Sequence, residues 1–185
     1  MASTGEVAAF GADIVEAYWN SLASVNGFRT PVAGSGVLIG GDVTFPQMAT
    51  VAKGLSDLGF KLLCSSPVVE DFLNSLPYVS KVEKIFFPLK DKRKLREVFD
   101  EYDIQSVINL ARGRAKDTVD EDYVARRNAV DFGVPLINNP LLADLYVQAL
   151  ARKMKLGEVG AVSNYVEGRI PASVKSWSEF IGSHA

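Results

Sequence analysis

The stretch GSGVLIGGD, Gly34 to Asp42, constrains the fold more than any other part of the chain. A short apolar run breaks into two glycines and an acid. Thr44, Pro46 and Gln47 then open a run in which Met48, Val51, Ala52, Leu55 and Leu58 recur at helical spacing. The pattern predicts a strand, a glycine turn and a capped helix. Such a unit turns free backbone N–H groups outward at a helix start, where an anionic ligand can sit. The alternation of strand and helix repeats four more times. Short apolar strands joined through helices need right-handed parallel crossovers, so helices must cover both faces of one sheet. The fold predicted is α/β: an open, doubly wound, mostly parallel five-stranded sheet.

Three stretches organise the chain. Residues 1–33 stand apart: Ile14, Ala17, Tyr18, Leu22 and Val25 share a helical face, and the breakers from Phe28 to Gly34 read as a linker. Residues 34–153 hold the core. Its strands are predicted at Val37–Ile39, Phe60–Cys64, a weaker Val82–Phe87, Ser106–Leu110 and Val134–Ile137. Ser66 and Pro67 read as the N-cap and first turn of a helix that turns Val68, Val69, Phe72, Leu73 and Leu76 inward. Pro88 stops the third strand, and a charged helix with Leu95, Val98 and Phe99 inward follows. Thr118 and Glu121 form a capping box ahead of a helix that buries Tyr123, Val124 and Val130. Asn139 and Pro140 open the last core helix, which runs to about Lys153. In the tail, residues 154–185, Trp177, Phe180 and Ile181 predict docking on another surface.

Composition bounds the function. A length of 185 residues suits one domain with extensions. With 20 basic and 22 acidic residues, nothing points to nucleic acid or an anionic membrane. No apolar run approaches the ~20 residues of a membrane span. One cysteine permits no internal disulfide and is compatible with a reducing compartment. The opening MASTGEV carries no signal-peptide pattern and reads as a cut inside a longer protein. The only histidine, His184, lies in the final residues, which argues against a His-based triad and a Cys/His metal site in the core.

Ligands of open α/β sheets sit beyond the carboxyl ends of the strands, where the strand order reverses. With the first and fourth strands adjacent there, Gly40 to Asp42 and Asn109 to Arg114 line one crevice, with Ser65 and Ser66 beside it. Gly40 and Gly41 read first as a tight turn, since no GxGxxG or P-loop spacing is present. Asp42 reads as a helix-start acid, and Ser65 and Ser66 as N-caps before ligands. Asn109 is the best candidate contact, because an amide both donates and accepts. Arg112, Arg114 and Lys116 form a positive loop that suits solvent or an anion equally. Cys64 reads as a small buried apolar group, and Lys90 to Arg96 as a solvated helix face.

The order GVLIGGD, GFKLLCSS, VINLARGR and DEDYVARRNAVDFGVP resembles the methylglyoxal-synthase-like domain at the C-terminus of carbamoyl-phosphate synthase large chains. STGEVAAFGADIVEAYW is similar to the last stretch of that enzyme's second ATP-grasp module. FGADIVEAYWNSL, GSGVLIGGD and the ending SWSEFIG look most like the fungal arginine-specific form. The resemblance implies a noncatalytic regulatory domain that binds a small anionic effector. It needs no cofactor of its own; ATP and Mg serve the parent ligase, which makes carbamoyl phosphate from bicarbonate and glutamine-derived ammonia for arginine biosynthesis. The implied partners are the other large-chain domains and the glutamine amidotransferase small subunit. The implied location is the mitochondrial matrix or the cytoplasm.

The effector residues expected are Gly41, from the crevice reading, and Ser65, Lys84, Asn109 and Arg126, carried over by resemblance. Departures accompany them. Val68 stands where the family's second threonine hydroxyl is usual, and Ala111 where nucleotide-binding members have threonine. Asp122 stands where members activated by an acylated glutamate have asparagine, and an acid facing an anion repels it. Ile137 and Asn138 replace the Asp and Thr of ornithine-regulated members, which argues against that activation. The expectation is a crevice with a weakened effector response. The alternatives are a stand-alone enzyme of methylglyoxal-synthase type acting on a phosphorylated metabolite, or an unrelated nucleotide-binding module. No DPxxxxPHD-like run supports the enzyme.

Overall fold

The structure, a computed structural model, describes residues 8–25, 28–88, 91–112 and 121–155. In chain order these form α1 (Ile14–Ala23), β1 (Gly36–Gly41), α2 (Pro46–Asp57), β2 (Lys61–Cys64), α3 (Pro67–Asn74), β3 (Glu83–Lys84), α4 (Lys92–Glu101), β4 (Ile104–Leu110), α5 (Glu121–Phe132), β5 (Leu136–Ile137) and α6 (Pro140–Lys155). The five strands make one sheet in the order β3-β2-β1-β4-β5, with every pairing parallel.

Both faces of the sheet are apolar because side chains alternate along each strand. Val37, Ile39, Leu62, Cys64, Ile108 and Leu110 join a core completed by α1, α2, α3 and α6. Leu38, Leu63 and Val107 point the other way, into a second core under α4 and α5. On β4, Gly36 pairs with Ile104 while Val37 pairs with Ser106, so Gln105 is an extra residue. That bulge lets Ile104 enter the second core while Ser106 faces the first, where its hydroxyl lies 2.8 Å from the Tyr146 hydroxyl. Tyr146 is fully buried, and burial raises its pKa far above the ordinary tyrosine value.

Several local expectations change. β1 extends through both glycines, so the turn is Asp42–Phe45 and not the glycine pair. Phe45, rather than Thr44, occupies the N-cap of α2, and no side chain caps that helix; Pro46 sits in its first turn. Ser66 does stand at the N-cap of α3, but its hydroxyl makes no cap bond. β3 and β5 are two residues each, shorter than their apolar runs. α1 buries Val15 and Trp19, while Ile14 and Val25 are exposed. The buried arc thus centres one residue from the predicted face, of which Tyr18 and Leu22 still pack against the first core. Val68, Tyr123 and Val130 are also exposed. On α5 the inward arc is Val124, Ala125 and Ala129, because α5 lies close against β4 and small side chains fit beneath it. The capping pair Thr118 and Glu121, the loop cations Arg114 and Lys116, Lys90, and tail residues Trp177, Phe180, Ile181 and His184 lie outside the described side chains.

Candidate functional site

The strand order reverses between β1 and β4, and their register pairs Gly40 with Asn109 and Gly41 with Leu110. This brings the carboxyl ends of the two strands together at the position where open sheets take ligands. Gly41 is required by its backbone geometry, and Gly40 faces two side-chain tips. Gly41 has φ +110°, and a Cβ there would strike the Leu110 backbone. A Cβ on Gly40 would lie 2.8 Å from Asn109 Nδ2 and 2.9 Å from Asp122 Oδ1.

Asn109 is 1% exposed and its amide is held from both sides. Its Nδ2 donates to Asp122 Oδ1 at 2.7 Å, and Arg126 Nη1 donates to its Oδ1 at 2.6 Å. Asp122 and Arg126 lie one turn apart on α5, so both reach the end of β4 from one helical face. Beside them, Asp42 Oδ1 accepts from the Thr44 backbone N–H at 2.8 Å and from its hydroxyl at 2.6 Å. Asp42 Oδ2 lies 3.0 Å from Arg112 Nε. The Arg112 guanidinium also stands over the Phe45 ring, 4.6 Å from its centroid. The two Thr44 bonds, with help from the Arg112 charge, hold the Asp42 carboxyl below the usual carboxylate range.

The remaining candidates spread along the same edge. Ser65 follows β2 and is half-buried. Lys84, on β3, is level with Cys64 and lies 3.9 Å from Glu70 Oε2. Neighbouring strands run about 4.8 Å apart, so Lys84 and Asn109, three strand spacings apart, stand about 14 Å from each other across the sheet. Gly41, Asn109 and Arg126 therefore adjoin, Ser65 lies one strand away, and Lys84 lies two strands from Gly41. A single phosphate or carboxylate cannot bridge the whole row. A separate cavity of about 420 Å³ opens at the opposite, amino end of the sheet, between Val32, Phe99, Ile104 and Phe132.

Two features of this edge escape a reading of the residues one by one. The Asp42–Arg112 pair follows from register: β1 and β4 end level, so the residues just beyond them meet. The Asp122–Asn109 bond joins residues 13 apart in the chain, and only the four-residue spacing of Asp122 and Arg126 hints that both face one target.

No protein-family model matches the chain. Among curated relatives, it is 54% identical over 189 residues to the carbamoyl phosphate synthase arginine-specific large chain of Cutaneotrichosporon cutaneum, covering 100% of this chain and 15% of that one. It is 46% identical to the mitochondrial arginine-specific large chain of Schizosaccharomyces pombe, again with 100% and 15% coverage. The chain belongs to the carbamoyl-phosphate synthase large-chain family. It spans only about 15% of the length of those relatives. The mitochondrial human carbamoyl-phosphate synthase [ammonia] is 34% identical over 84% of this chain. A solved methylglyoxal synthase from Elizabethkingia anophelis superposes with TM-score 0.49 at 16% identity, over 78% of this chain and 97% of its own.

Within this segment of a carbamoyl-phosphate synthase large chain, the described residues include no group of three His, Cys, Asp or Glu side chains placed to hold a metal ion. They include no helix long and apolar enough to cross a membrane. Cys64 is buried in the first core, with its Sγ 3.6 Å from the Ser66 carbonyl oxygen.

Proposed function

We propose that this chain is the noncatalytic C-terminal regulatory and structural domain of a carbamoyl-phosphate synthase large chain, with a weakened effector site. The observation that carries this reading is 54% identity over the whole of this chain to a region that makes up 15% of an arginine-specific large chain. The parent enzyme would make carbamoyl phosphate from ATP, bicarbonate and glutamine-derived ammonia, for arginine biosynthesis. ATP and Mg would serve the parent ligase. Partners would be its other domains and a glutamine amidotransferase subunit. A mitochondrial location fits the relatives that carry that word in their names.

On this reading the effector crevice would comprise Gly41, Ser65, Asn109 and Arg126, with Lys84 at its far end. Its weakening rests on the donors at hand. Val68 is exposed and carries no hydroxyl, and Ala111 has none. The Asn109 amide and the Arg126 guanidinium are already bonded to each other. Each missing hydrogen bond to a charged group costs about 1.5–3 kcal/mol. Two of them weaken binding by about 100-fold to 10,000-fold. Calorimetric titration with uridine monophosphate, inosine monophosphate and N-acetylglutamate should give no saturable binding below the millimolar range. Micromolar binding of any of them refutes the weakened site. Formation of methylglyoxal from dihydroxyacetone phosphate would refute the noncatalytic reading.

A further inference from the structure

We infer that the Asp122 carboxylate itself occupies the anion position of the crevice, so that the site is held shut from within. This rests on the regulatory reading above and deepens it. Three elements meet on one oxygen. From β4, buried Asn109 offers Nδ2, the donor that a carboxylate or phosphate oxygen would take. From α5, Asp122 Oδ1 already accepts it at 2.7 Å. From β1, Gly40 leaves the space: a Cβ there would sit 2.9 Å from that same Asp122 oxygen. The carboxylate thus fills the hollow that the missing side chain leaves.

Arg126, one turn further along α5, is turned to the other end of the same amide and donates to Asn109 Oδ1 at 2.6 Å. One N–H and one lone pair of the amide are therefore each taken by a charged side chain. Asp122 reaches it as part of the folded chain, whereas a free anion must lose translational and rotational freedom to make the same contact. The incoming anion also meets a like charge. The ligand excluded is a small oxyanion, either a carboxylate or a phosphate.

The test uses the full chain with Asp122→Asn and Asp122→Ser, titrated calorimetrically with inorganic phosphate, uridine monophosphate and N-acetylglutamate. At least one oxyanion should bind at least tenfold tighter to both variants than to the unaltered protein. A gain confined to the phosphates or to the dicarboxylate identifies which oxyanion the site takes. In NMR spectra the Asn109 side-chain amide signals should shift when Asp122 is replaced. Equal affinities in the folded variants, or Asn109 signals that do not move, overturn the inference while leaving the regulatory reading standing. Micromolar binding to the unaltered protein overturns both. Should neither variant fold, acid titration of the unaltered protein serves: the Asn109 amide signals should move as the carboxylates protonate, and a flat titration overturns the inference.

Discussion

Gly41 and Gly59 both adopt positive φ, +110° and +81°, yet they answer to different constraints. Gly59 ends α2 in open space, where its N–H bonds to the Ser56 carbonyl. Alanine there meets only the left-handed backbone penalty, about 1–2 kcal/mol. Gly41 faces the Leu110 backbone, which cannot swing aside as a side chain can. Gly41→Ala adds overpacking of about 1–3 kcal/mol to the backbone term. Urea denaturation should therefore rank Gly41→Ala as clearly the more damaging. Equal losses would mean that β1 and β4 yield at their carboxyl ends. Asp42 carries a pH prediction. Its folded pKa is lowered, so its contribution is present above the ordinary carboxylate pKa and disappears as pH falls through the lower folded value. The largest cause is the Thr44 hydroxyl. Thr44→Ala should raise the Asp42 pKa toward the ordinary value in a carboxyl NMR titration and shrink the acid-side loss of stability. An unmoved Asp42 titration would show that the residue-44 backbone N–H and the Arg112 charge set it without the hydroxyl.

Helix α1 shows what periodicity conveys and what it leaves open. Ile14, Ala17, Tyr18, Leu22 and Val25 make a plausible stripe, but Val15 and Trp19 make another one residue away, and only packing chooses between them. α6 chooses: Val15 and Trp19 join Tyr146, Ala149 and Leu150 in the first core, and the Trp19 ring meets Phe28 edge-on at 5.9 Å. Trp19→Ala should cost about 3–5 kcal/mol. Ile14→Ala, at a 72% exposed position, should stay within about 0.5 kcal/mol. Thermal melts separate the two readily, since 1 kcal/mol moves the midpoint by about 2–4 °C at this size. A larger loss for Ile14→Ala would mean that the buried arc extends past Tyr18 and Leu22 to Ile14. The inner strands were plainer, because GVLI, KLLC and SVINL are apolar runs that both faces need. β3 and β5 are shorter than their apolar runs because apolar residues beside an edge strand are buried with or without ladder pairing; Phe87 is an example. At the candidate site, the positions of Gly41 and Asn109 follow from strand ends alone. The Asp122–Asn109 and Asp42–Arg112 contacts do not, because they arise only once α5 and the two strand ends are set side by side.

Whether α1 and the core form one cooperative unit is a question for the whole molecule. Residues 1–33 read as a separate stretch, yet α1 shares its apolar cluster with α2, α3 and α6, and no second core lies beneath it among the described residues. The contact is not carried by charge. Arg152 Nη1 reaches Asp13 Oδ2 at 2.7 Å, but both side chains are over two-fifths exposed, and such pairs contribute little. Burial carries it: Trp19 is 5% exposed, and burial pushes the Tyr18 phenol up to about 12. Elements that share one core open together. The chain holds two tryptophans, so Trp177→Phe leaves Trp19 as the only indole reporter. In that variant, Trp19 fluorescence follows α1, while far-UV circular dichroism follows all the helices. The two urea transitions should share one midpoint and one slope. A Trp19 transition at lower urea would mean that α1 docks and leaves on its own, as the tail of a neighbouring module, and that the cluster joining it to α6 is weaker than its burial implies.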